Sequence, residues 1–195
     1  MFHIKPDKRS QASAVLVVQG LYKCMEEKPF AAITITDVQR ASTVGRATFY
    51  RLFDTLPDVL AYQCDQVFQQ LVTIGKNTPN MPHRAVHRIF FAAWQEHETL
   101  LKAIIASNHM ELIYGTYRRF IPAIKEIMAS ELSLDEEETD YAAGFIIASI
   151  VSILETWVKR GQTKTPEELA LMFEKSVSIL GKDFESEQTN EEDSA

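Results

Sequence analysis

The chain has 195 residues, of which 46% are hydrophobic and 24% are charged, and its net charge at pH 7 is −7. This composition is typical of a soluble globular protein and excludes a disordered or collagen-like chain. Seven glycines and seven prolines are few for an architecture of strands and turns. We therefore predict an all-α fold.

The charge is divided unevenly along the chain. Residues 1–63 carry a net charge of +2, whereas the remainder carries −9. A basic head on an acidic body points to different partners for the two parts. The longest apolar run, residues 142–154, is shorter than the 20 or so residues that span a bilayer, and no secretory signal opens the chain. We therefore expect a cytoplasmic protein without a membrane partner, in which Cys24 and Cys64 are buried thiols.

Hydrophobic spacing and capping residues predict helices throughout the chain. Thr36 and Gln39 have the spacing of a capping box and predict the start of a short second helix, while the segment 43–45 breaks that helix. Residues 77–82 read as a linker, and residues 183–195 as an acidic disordered tail. The predicted helices cover residues 9–28, 37–42, 46–52, 56–76, 83–106, 109–130, 134–160 and 166–181.

Two short helices joined by a tight turn, behind a longer helix, form the layout of a helix-turn-helix DNA-binding module. In the segment 46–52 apolar side chains fall on one face and polar ones on the other, which suits a helix that enters the major groove. An arginine can bind guanine, hydroxyl groups can contact phosphates, and the amino end of the second helix can bind a phosphate. The candidate DNA-contacting residues are Thr36, Gln39, Thr43, Arg46, Ala47, Thr48, Tyr50 and Arg51.

The segments 33–38 and 46–53, with Ala41 and Val44 between them, resemble the N-terminal DNA-binding domain of the TetR family of bacterial transcriptional regulators. The pattern Thr48-Phe49-Tyr50-x-x-Phe53 is the most specific part. The resemblance is strong in motif over about residues 9–62; beyond them it is one of helical layout. Where the family often has a lysine that meets a phosphate, this chain has Leu56. We therefore expect either a lower affinity for the DNA backbone or backbone contacts from Lys5, Lys8 and Arg9 at the flexible N-terminus.

The resemblance implies an all-α homodimer whose N-terminal helices bind double-stranded operator DNA and whose C-terminal body binds a small-molecule inducer. The expected function is a ligand-responsive repressor of a palindromic operator. The expected division is a helix-turn-helix domain at 1–55, a regulatory and dimerisation domain at 56–182, and the tail at 183–195.

Residues 142–154 are apolar on nearly every side, which predicts a helix covered all round. We expect this helix and the one at 166–180 to form a four-helix interface with their symmetry mates. The alternative is a fully buried central helix of a monomer. The candidate interface residues are Phe145, Ala148, Ser149 and Ser152.

The body between residues 62 and 128 is rich in aromatic residues with polar ones among them, as a small-molecule site needs, although the same pattern also fits an ordinary core. The candidate ligand-binding residues are Phe68, Phe90, Trp94, His97, His109, Met110, Tyr114 and Tyr117.

His83 and His87 share a helix face but have no evident third ligand, so we predict no metal and no cofactor. No glycine-rich phosphate loop or Gly-x-Ser-x-Gly motif is present, and we predict no enzymatic activity. The competing hypothesis is an all-α ligand-binding or metal-dependent enzyme whose N-terminal helices are only structural. Steep salt dependence of duplex binding would distinguish a regulator from such an enzyme.

Overall fold

The computed structural model describes residues 1–78, 81–128 and 135–192, and over these residues the chain is built from helices without a strand, which confirms the all-α prediction. The predicted helix and linker positions at 79–80, 129–130 and 134, and the tail residues 193–195, lie outside the described residues. The helices are α1 Lys8–Glu27, a short 3₁₀ helix Phe30–Ala32, α2 Ile35–Ser42, α3 Arg46–Leu52, α4 Leu56–Asn77, α5 His83–Glu96, α6 Glu98–Ala106, α7 Glu111–Met128, α8 Glu136–Lys159 and α9 Pro166–Glu192.

Three boundaries differ from the sequence-based ones. The N-cap of α2 is Thr34 rather than Thr36, because Asp37 and not Gln39 completes the capping box. The helix expected over 83–106 is two helices separated at His97, whose ψ of 33° is not helical, although no glycine or proline marks the break. Helix α9 passes Gly181 and ends at Glu192. A glycine lowers helix stability by only about 1 kcal/mol, which the good helix formers around it can offset.

The chain divides into two compact units, which are described separately. Unit 1 comprises Met1–Ile74 and His97–Ile124, and unit 2 comprises Gly75–Glu96 and Lys125–Ala195. In unit 1, α1 packs on α2 and α3. The side chains buried there include Val17, Leu21, Val38, Phe49, Leu52, Phe53, Leu60 and Phe68.

Both cysteines belong to unit 1, and both are buried free thiols, as predicted. Burial raises the pKa of the Cys24 thiol and that of the Cys64 thiol, because a buried thiolate lacks solvation by water. Neither thiol is therefore activated as a nucleophile.

In unit 2, α9 packs against α5 and α8. The inner side of α8 is apolar at helical spacing, and Ile147, Val151 and Leu154 are buried there, as is Phe173 of α9. Arg84 of α5 forms a bidentate pair with Glu174 of α9, in which Nε donates to Oε1 at 3.0 Å and Nη2 donates to Oε2 at 2.6 Å. The Arg84–Glu174 pair thus joins α5 to α9, and buried apolar side chains pack α8 against α9.

Helix α8 is the most apolar helix of unit 2. The mean hydropathy of an 18-residue window of α8 is 1.7, and 33% of that window is buried. By length and composition alone, the helix is long and apolar enough to span a membrane. Packed helices of soluble proteins pass the same test. The outer side of α8 is therefore a surface that exposes apolar side chains.

Candidate nucleic-acid interface

Helices α1, α2 and α3 form what we call the three-helix module. Within it, α1 and α2 cross in close contact. Gly20 of α1 lies so close to Ser42 of α2 that a Cβ at Gly20 would stand 2.6 Å from the Ser42 Cβ and 2.8 Å from the Ser42 backbone nitrogen. Real Cβ atoms do not approach so closely, so only glycine fits this crossing.

A polar contact at the C-terminal end of α1 reinforces this packing. The Asp37 carboxylate accepts hydrogen bonds from Lys28 Nζ at 2.7 Å and from the Thr34 amide at 2.8 Å. The Lys28 ammonium group and the Thr34 donors hold the pKa of Asp37 well below its ordinary range. Asp37 thereby links the end of α1 to the first turn of α2.

The turn between α2 and α3 is tight. Thr43 lies in the left-handed region with φ 59°, a conformation that costs energy in a residue with a branched side chain. The Val44 amide donates to Ser42 Oγ at 3.2 Å, and Gly45 is the N-cap of α3. The turn thus fixes the direction in which α3 leaves α2.

Helix α3 has one buried side and one exposed side. Phe49 and Leu52 are buried together with Phe53, which follows the helix. The predicted contact residues Arg46, Ala47, Tyr50 and Arg51 are exposed, and Thr48 is half-buried. The buried side anchors the helix, so that the exposed side is a firm surface of polar and small side chains.

Two of the exposed residues form a pair on successive turns. The Arg46 guanidinium carbon lies 5.2 Å from the centre of the Tyr50 ring, and Arg46 Nη2 donates to the Tyr50 hydroxyl at 3.4 Å. Stacking on an aromatic ring limits the rotamers of a long cation. Arg46 and Tyr50 therefore present a charged and a hydroxyl group from one preorganised position.

The remaining predicted residues of this site lie on α2 and in the turn. Thr36 is exposed in the first turn of α2, and Thr43 is exposed in the turn that follows the helix. Gln39 is half-buried, and among the described residues its Nε2 atom has no hydrogen-bond partner. The structure thus brings Thr36, Gln39 and Thr43 into the same module as the α3 residues.

Sequence reasoning missed how the first residues of the chain are held. The His3 amide donates to the Leu52 carbonyl at 2.8 Å, and Phe2 forms a bridge with Phe53 and packs edge-on against Tyr62. No short-range signal predicts this pairing, because its partners lie some fifty residues apart. Residues 2–3 are therefore attached beside the end of α3 rather than flexible.

Leu56, which stands where the resemblance would place a phosphate-binding lysine, is buried in the hydrophobic core.

The eight candidate ligand residues fall in both units. Phe68, His97, His109, Met110, Tyr114 and Tyr117 belong to unit 1, whereas Phe90 and Trp94 belong to unit 2. In unit 1, the Phe68 ring stacks on Phe120 at 6.0 Å, and His109 Nδ1 lies 2.9 Å from Glu111 Oε1. In unit 2, Phe90 packs against Trp94 at 6.4 Å. These contacts are compatible with a core as well as with a ligand site.

The two histidines considered as metal ligands lie on α5. The His87 ring packs on Phe173, with 4.3 Å between the ring centres. Within the described residues, no group of three or more His, Cys, Asp or Glu side chains is placed to hold a metal ion. The packing of His87 accounts for its position without a metal.

The outer side of α8 carries exposed side chains at helical spacing. Tyr141 is 74% exposed and Phe145 is 46% exposed, and Ala148 and Ser152 follow on the same side, with Ser149 half-buried. Helix α9 adds Leu171, Met172 and Ile179, which are also exposed. We call these side chains of α8 and α9 together the α8–α9 face.

The described part of the chain thus belongs to the class of all-α proteins with an N-terminal helix-turn-helix module followed by a longer helical region. Residues 85–178 match a TetR family model described as a transcriptional regulator C-terminal region. This match covers just under half of the chain, and with the N-terminal motif it shows that the chain resembles the TetR family of transcriptional regulators.

Several solved structures share the fold. A TetR transcriptional regulator from Streptococcus agalactiae is 18% identical with a TM-score of 0.59, covering 84% of this chain and 92% of its own. A TetR-family regulator from Syntrophomonas wolfei is 17% identical with a TM-score of 0.67, covering 87% and 95%. Lin0861 from Listeria innocua is 18% identical with a TM-score of 0.72, covering 91% and 96%. No curated protein sequence matches the chain significantly.

Proposed function

We propose that the protein is a cytoplasmic bacterial repressor that binds a palindromic operator as a homodimer and releases it when a small-molecule inducer binds. The observation that carries this proposal is the exposed side of α3, where Arg46, Ala47, Tyr50 and Arg51 stand above the buried Phe49. A short helix of this kind fits a major groove about 12 Å wide.

The roles of the exposed residues follow from their chemistry. Arg46 and Arg51 can donate two hydrogen bonds to guanine, and Ala47 permits close approach to a base edge. The hydroxyl groups of Thr48 and Tyr50 can donate to phosphates. Thr36, Gln39 and Thr43 supply further contacts from α2 and the turn. The positive charge of residues 1–63 favours this end of an otherwise acidic chain for DNA.

The homodimer is supported by the α8–α9 face. Exposed apolar side chains on two neighbouring helices cost free energy in water, and a second copy of the same face removes them from it. The small residues Ala148, Ser149 and Ser152 let two α8 helices come close, and the exposed Phe145 adds apolar area to the interface. In a twofold dimer, two α3 helices about 34–36 Å apart would read successive major grooves.

Induction would then be a shift between two populations of the dimer. Three residues separate the end of α3 from the start of α4, so the orientation of α4 sets the position of the three-helix module. An inducer that prefers one orientation of α4 shifts the dimer toward that orientation. The distance between the two α3 helices then no longer matches the spacing of the operator half-sites. The candidate ligand residues, and the division into a domain at 1–55 and one at 56–182, belong to this proposal.

The first test is selection of bound fragments from random duplex DNA by the purified full chain. We expect recovered fragments to contain inverted half-sites, and we expect affinity to fall steeply with added salt because phosphate contacts release counterions. If no duplex is retained in dilute buffer, the proposed function is wrong.

The second test assigns the binding to α3. We expect Arg46→Ala and Tyr50→Ala each to weaken operator binding by about tenfold or more, since a good contact to a base contributes about 1–3 kcal/mol. Lys23→Ala removes an exposed cation from α1 and is the matched control, which should change affinity less than about twofold. Helix content and sedimentation should be unchanged in all three variants. Wild-type affinity in both α3 variants would contradict the assignment.

A further inference from the structure

Unit 1 contains a groove between the end of α1 and α6. One wall is formed by Met25 and Lys28 with Phe30 of the 3₁₀ helix, and the other by Lys102, Ala103 and Ala106 of α6. Its volume is about 250 Å³, and its surface is mostly apolar. None of the candidate ligand residues lines this α1–α6 groove, although Phe30 packs edge-on against His109 with 6.3 Å between the ring centres.

The charges of the groove have one sign. Among the described residues that line it, the two with charged side chains are Lys28 and Lys102. Lys28 is held by Asp37 at 2.7 Å, whereas among the described residues Lys102 pairs with Glu98, at 3.1 Å and one helical turn away. Both side chains of the second pair are about half exposed, and such a surface pair contributes little. Lys102 can therefore exchange Glu98 for another anion at small cost.

The size of the groove limits what it can hold. A groove of about 250 Å³ is smaller than the roughly 300–1,000 Å³ of typical ligand pockets, so it suits a small ligand rather than a large one. An apolar floor with cations at its edge suits a ligand with an apolar body and one negative end. We propose that the α1–α6 groove binds a small carboxylate with a short apolar chain, whose carboxylate pairs with Lys102.

The position of the groove gives such a ligand a consequence, and this step alone rests on the proposed function. Met25 of α1 lines the groove, and Lys28, which follows α1, pairs with Asp37 of α2 at 2.7 Å. A ligand between them and α6 contacts the three-helix module directly. Occupancy of the groove should therefore change operator affinity without filling the proposed inducer site.

The binding test uses octanoate, with octanamide as the neutral molecule of the same size. In titrations of the full chain followed by amide chemical shifts, we expect octanoate to shift resonances of residues 102–107 and 30–31. Octanamide should bind about fivefold more weakly, as expected for a partly exposed charge pair. No binding of octanoate at millimolar concentration, or shifts confined to other residues, would overturn the proposal.

Two variants with a control locate the site. Lys102→Gln should reduce octanoate affinity about fivefold, to the level of octanamide, and Ala106→Trp should abolish binding by filling the groove at an exposed position. Lys23→Gln, on α1 but outside the groove, should bind octanoate as the wild type does. Unchanged affinity in Lys102→Gln and Ala106→Trp would overturn the proposal. Because no DNA is present, this result is independent of whether the proposed function holds.

Discussion

The three-helix module and the α8–α9 face treat apolar side chains in opposite ways. In α3 the large apolar residues Phe49 and Leu52 are buried and the exposed positions are polar or small, apart from Tyr50, whose ring carries Arg46. On the α8–α9 face, Phe145 and Ile179 are exposed. The first surface can remain in water or contact phosphates, whereas exposed apolar side chains like those of the second cost free energy in water. Two different partners are therefore expected at the two ends of the chain.

The two regions also differ in the space around a glycine, and one substitution in each region tests that difference. Gly20→Ala would place a Cβ 2.6 Å from the Ser42 Cβ, so α1 and α2 would have to separate. We expect a loss of about 2–3 kcal/mol in the free energy of unfolding, as for other overpacked sites, measured by urea denaturation.

The matched substitution on α8 is Gly144→Ala. A Cβ there would meet nothing within 4 Å of the described chain. Because alanine is a better helix former than glycine, we expect the isolated chain to gain about 0.5–1 kcal/mol. Equal losses in the two variants would show that the tight crossing of α1 and α2 does not limit stability.

Local patterns in the sequence predict much of the three-helix module. The alternation of Phe49 and Leu52 with Arg46 and Tyr50 is enough to predict which side of α3 is buried, because all four lie within two turns. The break between α2 and α3 at residues 43–45 is also predicted, although the left-handed conformation of Thr43 is a finding of the structure.

Contacts between distant segments were not predictable in this way. The Gly20–Ser42 crossing and the Phe2–Phe53 bridge join residues far apart in the sequence, and neither leaves a periodic pattern. The helix break at His97 has no glycine or proline to mark it. The start of α2 was misplaced because two threonines two residues apart are both acceptable caps, and the partner of Asp37 decides between them.

The α8–α9 face is tested by placing a charge on it. We expect Phe145→Lys to weaken a homodimer by about 2 kcal/mol, or roughly thirtyfold, since a buried aromatic residue at an interface is replaced by a charge without a partner. Sedimentation of the purified chain over a range of concentrations measures this change.

The control for this variant is Lys159→Gln, which alters an exposed position near the end of the same helix. It should leave the sedimentation of the chain unchanged, and neither variant should lower helix content, because Phe145 is not part of the core. A wild-type chain that stays at 22.2 kDa at every concentration would contradict the dimer itself.

The smallest expected effect concerns the Lys28–Asp37 contact and its dependence on pH. The pKa of Asp37 is lowered from its ordinary 3.8, chiefly by the hydrogen bond from Lys28 and then by Thr34. A carboxyl group whose pKa is lower in the folded state stabilises that state when ionised, so its contribution is present above the ordinary pKa and is lost as the pH falls below it. Between about pH 5 and about pH 3, the wild type should therefore lose more unfolding free energy than Asp37→Asn, which lacks the carboxylate throughout. Urea denaturation at several pH values measures the difference, and Glu26→Gln, which removes an exposed acid from α1, should retain the wild-type slope. Equal slopes for the wild type and Asp37→Asn would mean that the pairing of Lys28 with Asp37 does not stabilise the three-helix module in solution.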